Sequence, residues 1–172
     1  MHARQRHDLF PDGRVIRLFM IKLQHTEVRF EITDLCNAHC IMCPREKHDR
    51  PHGIMDQAKY EASIDEVAGM GAEQVVLTGF GESTLDKHLE EKIAYAHDKG
   101  LRTYIITNGS ALTESRSKAL MAAGLDEMRV SFYGMQAESY SAVMRGLDFE
   151  RAVKNIHQFI SIKAEMGYET KV

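Results

Sequence analysis

Apolar and polar side chains trade off along this chain with two alternating periods. Residues 27–33 (EVRFEIT) alternate strictly, the two-residue period of a strand with one wet face. Residues 74–79 (QVVLTG) form a short apolar run, as in a strand covered on both sides. Residues 102–107 (RTYIIT) and 127–132 (EMRVSF) read as a third and a fourth strand, and 168–172 (YETKV) as the start of a fifth. Between them the spacing becomes helical. A helix is predicted after Asp56 as N-cap, with Ala58, Ala62, Ile64, Val67, Ala68 and Met70 recurring and Gly71 as the stop. A second runs over 83–100, opened by Ser83-x-x-Asp86 as a weak capping box. A third runs from a Thr113 cap to Gly124. The fourth runs from Asp148 to Gly167, with Phe149, Val153, Ile156, Phe159 and Ile160 on one face. Asn108-Gly109 marks a turn.

Four strand–helix units in series predict an α/β fold with a parallel sheet. In such folds chemistry gathers at the carboxyl ends of the strands. The loops there hold the unusual residues: cysteines after the first strand, GFGES after the second, NG after the third, YG and then MRG after the fourth. The fifth strand is only begun at Val172, so the sheet is expected to be completed by a partner chain or by a C-terminal domain.

Bulk properties narrow the classes. With 172 residues, 44% hydrophobic and 27% charged, the chain has the composition of one globular domain. A net charge of -3 and a pI near 6.3 give no electrostatic case for nucleic acid or an anionic membrane. Residues 1–6 read as a solvated start of an N-terminal extension over 1–26. The apolar stretch 18–21 is far too short to span a bilayer. A cytoplasmic location is expected.

Cysteine changes the picture most. All three lie in CNAHCIMC, at Cys36, Cys40 and Cys43. Three thiols at spacings of four and three positions make poor disulfides and point to a reduced compartment and a metal site. Thiolates bind zinc or iron–sulfur clusters. A structural zinc would need a fourth ligand, for which His39, His48 and His52 are near. A four-iron cluster held by three thiolates instead leaves one iron open to a small molecule, and a tight loop at the end of a buried strand suits that second reading.

Cys36-x-x-x-Cys40-x-x-Cys43, followed in order by GFGE (79–82), TNG (107–109), SFYG (131–134) and YSAVMRG (140–146), resembles the radical S-adenosylmethionine (radical SAM) superfamily, in the branch that often carries a SPASM or twitch C-terminal domain. The resemblance covers residues 28–172. It implies a partial (β/α)6 barrel, truncated after about four units, with residues 27–172 as a core domain lacking its last strands. It implies that Cys36, Cys40 and Cys43 hold a 4Fe-4S cluster whose open iron binds S-adenosylmethionine. One-electron reduction then releases a deoxyadenosyl radical that abstracts hydrogen from a substrate. By the same resemblance Gly79, Gly81 and Glu82 receive the methionine end of the cofactor. Asn108, Ser131 and Arg145 lie near it, and Met42 stands where an aromatic residue often packs on adenine. Their ordinary readings are turn glycines, a solvated acid, a turn asparagine, a strand hydroxyl, an arginine paired with Asp148 or Glu150, and a buried loop methionine. Tyr133 and Ser83 replace an aspartate and a proline common in the family. A low-potential donor, flavodoxin or ferredoxin, is implied as partner. The roles implied are maturation of peptides, proteins or cofactors, or natural-product synthesis. A zinc-stabilised domain without redox chemistry, or an inactive cluster-binding remnant, are the alternatives.

Overall fold

The computed structural model describes residues 23–172. The readings of residues 1–6 and 18–21, and most of the extension over 1–26, lie outside the described residues. Four parallel strands form one sheet in chain order: β1 (Glu27–Phe30), β2 (Gln74–Leu77), β3 (Arg102–Thr107) and β4 (Glu127–Val130). Val28 pairs with Val75, Val75 with Thr103, and Ile105 with Met128. The crossovers are α1 (Gln57–Gly69), α2 (Leu89–Asp98) and α3 (Glu114–Ala122); α4 (Ala137–Val143) and α5 (Phe149–Met166) follow β4. Val75, Val76 and Leu77 are all fully buried. Since successive strand residues face opposite ways, β2 is covered on both sides, as its unbroken apolar run requires. The main core joins Val75, Leu77, Ile105 and Met128 to Ile64, Ile93, Leu120 and Phe159 from the helices.

The capping residues read from the sequence cap three helices. Asp56, Thr113 and Asp148 each accept from a backbone amide of the first turn, pairing donors the helix leaves open. Gly167 ends α5 in the left-handed conformation. The fifth strand is begun by one parallel bridge, Glu127 to Lys171.

Four expectations are corrected. The β1 ladder ends at Phe30. Thr33 instead bridges antiparallel to Ile54, and the Met55 amide donates to the Ile32 carbonyl at 2.7 Å. The chain thus peels away from β2 as it enters the cysteine loop. The second helix begins at Leu89, not at residue 83. Ser83 Oγ is used on the Leu77 carbonyl (2.9 Å), and residues 83–85 form a 3-10 turn capped by the Glu82 side chain. Ile160 is 46% exposed, and the buried face of α5 runs through Ala152, Asn155, Phe159 and Ile162. Helix α4 adds to the four predicted helices. Its signal is the Gln136–Ser139 pair, a reciprocal box of glutamine and serine.

Among the described residues no helix is long and apolar enough to cross a membrane. An apolar groove of about 750 Å³ runs beside β4, lined by Tyr104, Met128, Val130, Phe132 and Ile156 among others. It lies along the sheet edge where the fifth strand starts.

Candidate functional site

The carboxyl ends of all four strands close around a cavity of about 170 Å³. Cys36, Cys40, Cys43 and Met42 line it from the loop after β1, and Gly79, Gly81 and Glu82 from the loop after β2. Thr107 and Asn108 come from β3 and its turn, and Ser131 and Tyr133 from beyond β4. Cys36 and Tyr133, 97 positions apart, meet here because each strand delivers its loop to the same end of a parallel sheet.

The two loop glycines admit close backbone approach. A Cβ on Gly81 would overlap the Thr33 carbonyl and the Asp34 backbone, and one on Gly79 would overlap the Glu31 side chain. In that space the Glu82 amide donates to the Leu35 carbonyl at 2.8 Å, and the Phe80 amide to Glu31 Oε1 at 2.7 Å. The GFGE loop is thereby docked against the entrance to the cysteine loop.

Glu82 is 2% exposed. Its Oε1 accepts from the Thr84 amide (3.1 Å), the Thr84 hydroxyl (2.5 Å) and the Thr107 hydroxyl (2.6 Å); its Oε2 accepts from the Asn108 amide (2.6 Å). A buried carboxylate with this many donors is well satisfied. Asn108 in turn donates from Nδ2 to Asn37 Oδ1 (3.0 Å), and Asn37 Nδ2 donates to Ser110 Oγ (2.8 Å). From α5, Asn155 Nδ2 donates to both the Gly109 and Ser110 carbonyls at 3.0 Å. The turn needs Gly109, whose φ is +76°. A polar chain therefore links the cysteine loop, the β2 loop and the β3 turn.

Of the predicted site residues, nine line the cavity: Cys36, Cys40, Cys43, Met42, Gly79, Gly81, Glu82, Asn108 and Ser131. Arg145 does not. Its side chain is exposed, and no ion pair joins it to Asp148 or Glu150 among the described residues; its carbonyl accepts from the His39 amide at 2.7 Å and pins the cysteine loop. The sequence assigns no role to Asn37, Asn155 or Thr107, although Thr107 opens the TNG motif. Asn37 carried a signal, sitting inside the cysteine motif; Asn155 carried none, being one polar residue in a helix.

Burial pushes the Cys36 and Cys40 thiols above their ordinary value of 9.0, and for Cys40 the neighbouring Cys36 charge adds to it. Both therefore hold their protons until a metal displaces them. The three histidines considered as a fourth ligand are engaged elsewhere. His39 Nδ1 pairs with Glu46, His52 Nδ1 with Asp34 Oδ2 at 2.8 Å, and His48 packs tilted against Phe80 with centroids 4.6 Å apart. None lines the cavity. Among the described residues no three His, Cys, Asp or Glu side chains are gathered as a single ion would need. Three soft sulfur donors spread around a cavity suit an iron–sulfur cluster better than one zinc ion.

Residues 30–164 match the radical SAM superfamily, and the chain belongs to it. It is 32% identical over 148 residues to the AdoMet-dependent heme synthase of Nitratidesulfovibrio vulgaris, covering 84% of this chain and 40% of that protein. It is 28% identical to a probable GTP 3',8-cyclase of Methanothermobacter thermautotrophicus, covering 94% and 48%. The chain thus spans less than half the length of these relatives. Among solved structures, SuiB of Streptococcus suis bound to S-adenosylmethionine superposes with a TM-score of 0.69 at 19% identity, over 80% of this chain and 32% of that one. BtrN in complex with AdoMet and 2-DOIA superposes with a TM-score of 0.60 at 23% identity, over 77% and 56%. At these identities the likeness shows the fold. The superfamily uses a 4Fe-4S cluster and S-adenosylmethionine.

Proposed function

We propose that the chain is the core of a radical SAM enzyme, in which Cys36, Cys40 and Cys43 hold a 4Fe-4S cluster and the rest of the cavity receives S-adenosylmethionine. The observation that carries this is the single cavity shared by the three thiols, the glycine loop, Glu82, Asn108 and Ser131. When bound, the cluster and cofactor supply a deoxyadenosyl radical that abstracts hydrogen from substrate.

The protein's own part is placement. The bare backbone at Gly79 and Gly81 leaves room for the amino-acid end of the cofactor. Glu82 fixes the β2 loop against the β3 turn, and Asn108 and Ser131 offer polar atoms at the rim. Met42, half-exposed at the mouth, supplies a soft apolar surface for a base. Arg145 acts through its carbonyl, holding His39 and with it the loop. The relatives named for heme and GTP-derived products favour a role in cofactor synthesis over peptide maturation. A cytoplasmic location and a flavodoxin or ferredoxin donor accompany this reading.

The test is anaerobic reconstitution with iron and sulfide. Iron and acid-labile sulfide should bind in equal amounts, and reduction with S-adenosylmethionine present should release deoxyadenosine. Cys40→Ala should lose the iron. Stoichiometric zinc without iron, or full iron content in Cys40→Ala, would sink the proposal.

A further inference from the structure

Asn37 follows the first cysteine of the motif, and its side chain bonds far away in the chain. Its Oδ1 accepts from Asn108 Nδ2 at 3.0 Å, and its Nδ2 donates to Ser110 Oγ at 2.8 Å, partners 71 and 73 positions away. A loop asparagine commonly bonds the backbone two residues on. Asn108 does so, its Oδ1 accepting from the Ser110 amide at 2.9 Å. Three residues thus close a ring: Asn37 to Ser110, Ser110 to Asn108, and Asn108 back to Asn37.

The ring fixes which way each carboxamide faces. A backbone N–H only donates, so the Asn108 oxygen faces Ser110 and its nitrogen faces Asn37. Asn37 then turns its oxygen to Asn108 and its nitrogen to Ser110. One hydrogen on Asn108 Nδ2 is left outside the ring, with no acceptor among the described residues. Asn108 is 6% exposed and lines the cavity beside the cysteines. A donor so nearly buried is one for a ligand to satisfy. Both ends of the ring stand on held backbone. Beside Asn37, the His39 amide is bonded to the Arg145 carbonyl, and a Cβ on Gly146 would come within 3.2 Å of the Asn37 carbonyl oxygen. Behind the β3 turn, Asn155 holds the Gly109 and Ser110 carbonyls.

We propose that Asn37 is a positioning residue for S-adenosylmethionine: it holds the Asn108 carboxamide so that its remaining hydrogen goes to an acceptor atom of the cofactor, in fixed register with the loop that carries the cysteines. The proposal rests on the cluster and cofactor reading given above. It goes beyond that reading in giving Asn37 an effect on cofactor affinity that runs only through Asn108.

The experiment reconstitutes the full chain and its variants anaerobically with iron and sulfide. Iron content is measured, and the Kd for S-adenosylmethionine is read by equilibrium dialysis. Asn37→Ala should keep the iron of wild type and bind the cofactor about 5-fold more weakly, the effect of one hydrogen bond. Asn108→Ala should lose at least as much. The double variant should bind no more weakly than Asn108→Ala, because Asn37 then has nothing left to hold. A role confined to folding would make the two losses multiply. Ser110→Ala, which opens the ring away from the cysteines, should weaken binding in the same sense. Multiplying losses, or unchanged binding in Asn37→Ala or Ser110→Ala, overturn this inference alone. So does an Asn37→Ala protein that loses iron or fails to fold, since Asn37 would then serve the cluster or the fold. A wild type that takes up iron but binds no S-adenosylmethionine overturns the cofactor reading, and this inference with it.

Discussion

The Glu82 carboxylate accepts from the Asn108 amide at 2.6 Å, across 26 positions of sequence. The same group accepts from Thr84 and Thr107, so one side chain ties the loop after β2 to the turn after β3. In Glu82→Gln, an NH2 replaces one oxygen and must face a donor. At least one buried donor then loses its acceptor, at about 1–3 kcal/mol. Urea unfolding of the metal-free chain should show that loss, and a variant as stable as wild type would mean the clamp is slack.

Gly81 and Gly69 make a matched pair. A Cβ on Gly81 meets the Thr33 backbone, which cannot rotate away, whereas one on Gly69 near the end of α1 meets nothing within 4 Å. Gly81→Ala should destabilise by about 1–3 kcal/mol. Gly69→Ala should stabilise by about 0.5–1 kcal/mol, as alanine does in a helix. Thermal melts that moved both variants in the same direction would contradict the close approach of the two loops.

Asp34 and Gly53 close the base of the loop that follows the cysteines, with the Gly53 amide on Asp34 Oδ1 at 2.8 Å and the Asp34 amide on the Gly53 carbonyl at 3.3 Å. The Gly53 amide lowers the Asp34 pKa below its ordinary 3.8 most strongly; burial opposes this, and His52 and Arg50 add to the lowering. A carboxylate with a depressed native pKa contributes stability above its unfolded value and loses it as pH falls through the native one. The stability gap between wild type and Asp34→Asn should therefore hold steady at pH 6 and close below about pH 3.8. Unfolding curves across that range decide it, and a gap that widens in acid would refute the assignment.

Lys92 and Asp86 form an ion pair at 2.8 Å, with side chains 1% and 0% exposed. Asp86 also accepts from the His88 amide at 2.9 Å, and the Tyr60 hydroxyl donates to the Lys92 carbonyl at 3.0 Å. Lys92→Met would leave a buried carboxylate without its cation, a loss of about 3–5 kcal/mol. Adding Asp86→Asn should recover part of it. A denaturant titration in which the double variant fell below the single one would show that the pair does not act as a unit.

The periodicities of this chain were enough to place four strands, three of the helix caps and the parallel order, because those signals are local and each segment buries a face of its own. The cysteine spacing and the order GFGE, TNG, SFYG were likewise local, and they pointed to the family and to nine of the residues around the cavity. What escaped the sequence lies in contacts between distant segments. Nothing near Ser83 says that its hydroxyl will turn back to Leu77 and delay α2. Nothing in α5 says that Asn155, rather than Ile160, faces inward to hold the Gly109 and Ser110 carbonyls. Arg145 carried a motif position, yet its main chain rather than its guanidinium meets the cysteine loop. Sequence determined which elements form and which residues stand at their carboxyl ends. Only the tertiary structure decided which donors those residues meet, because a buried polar atom takes its partner from whatever the packed backbone places within reach, however far away in the chain.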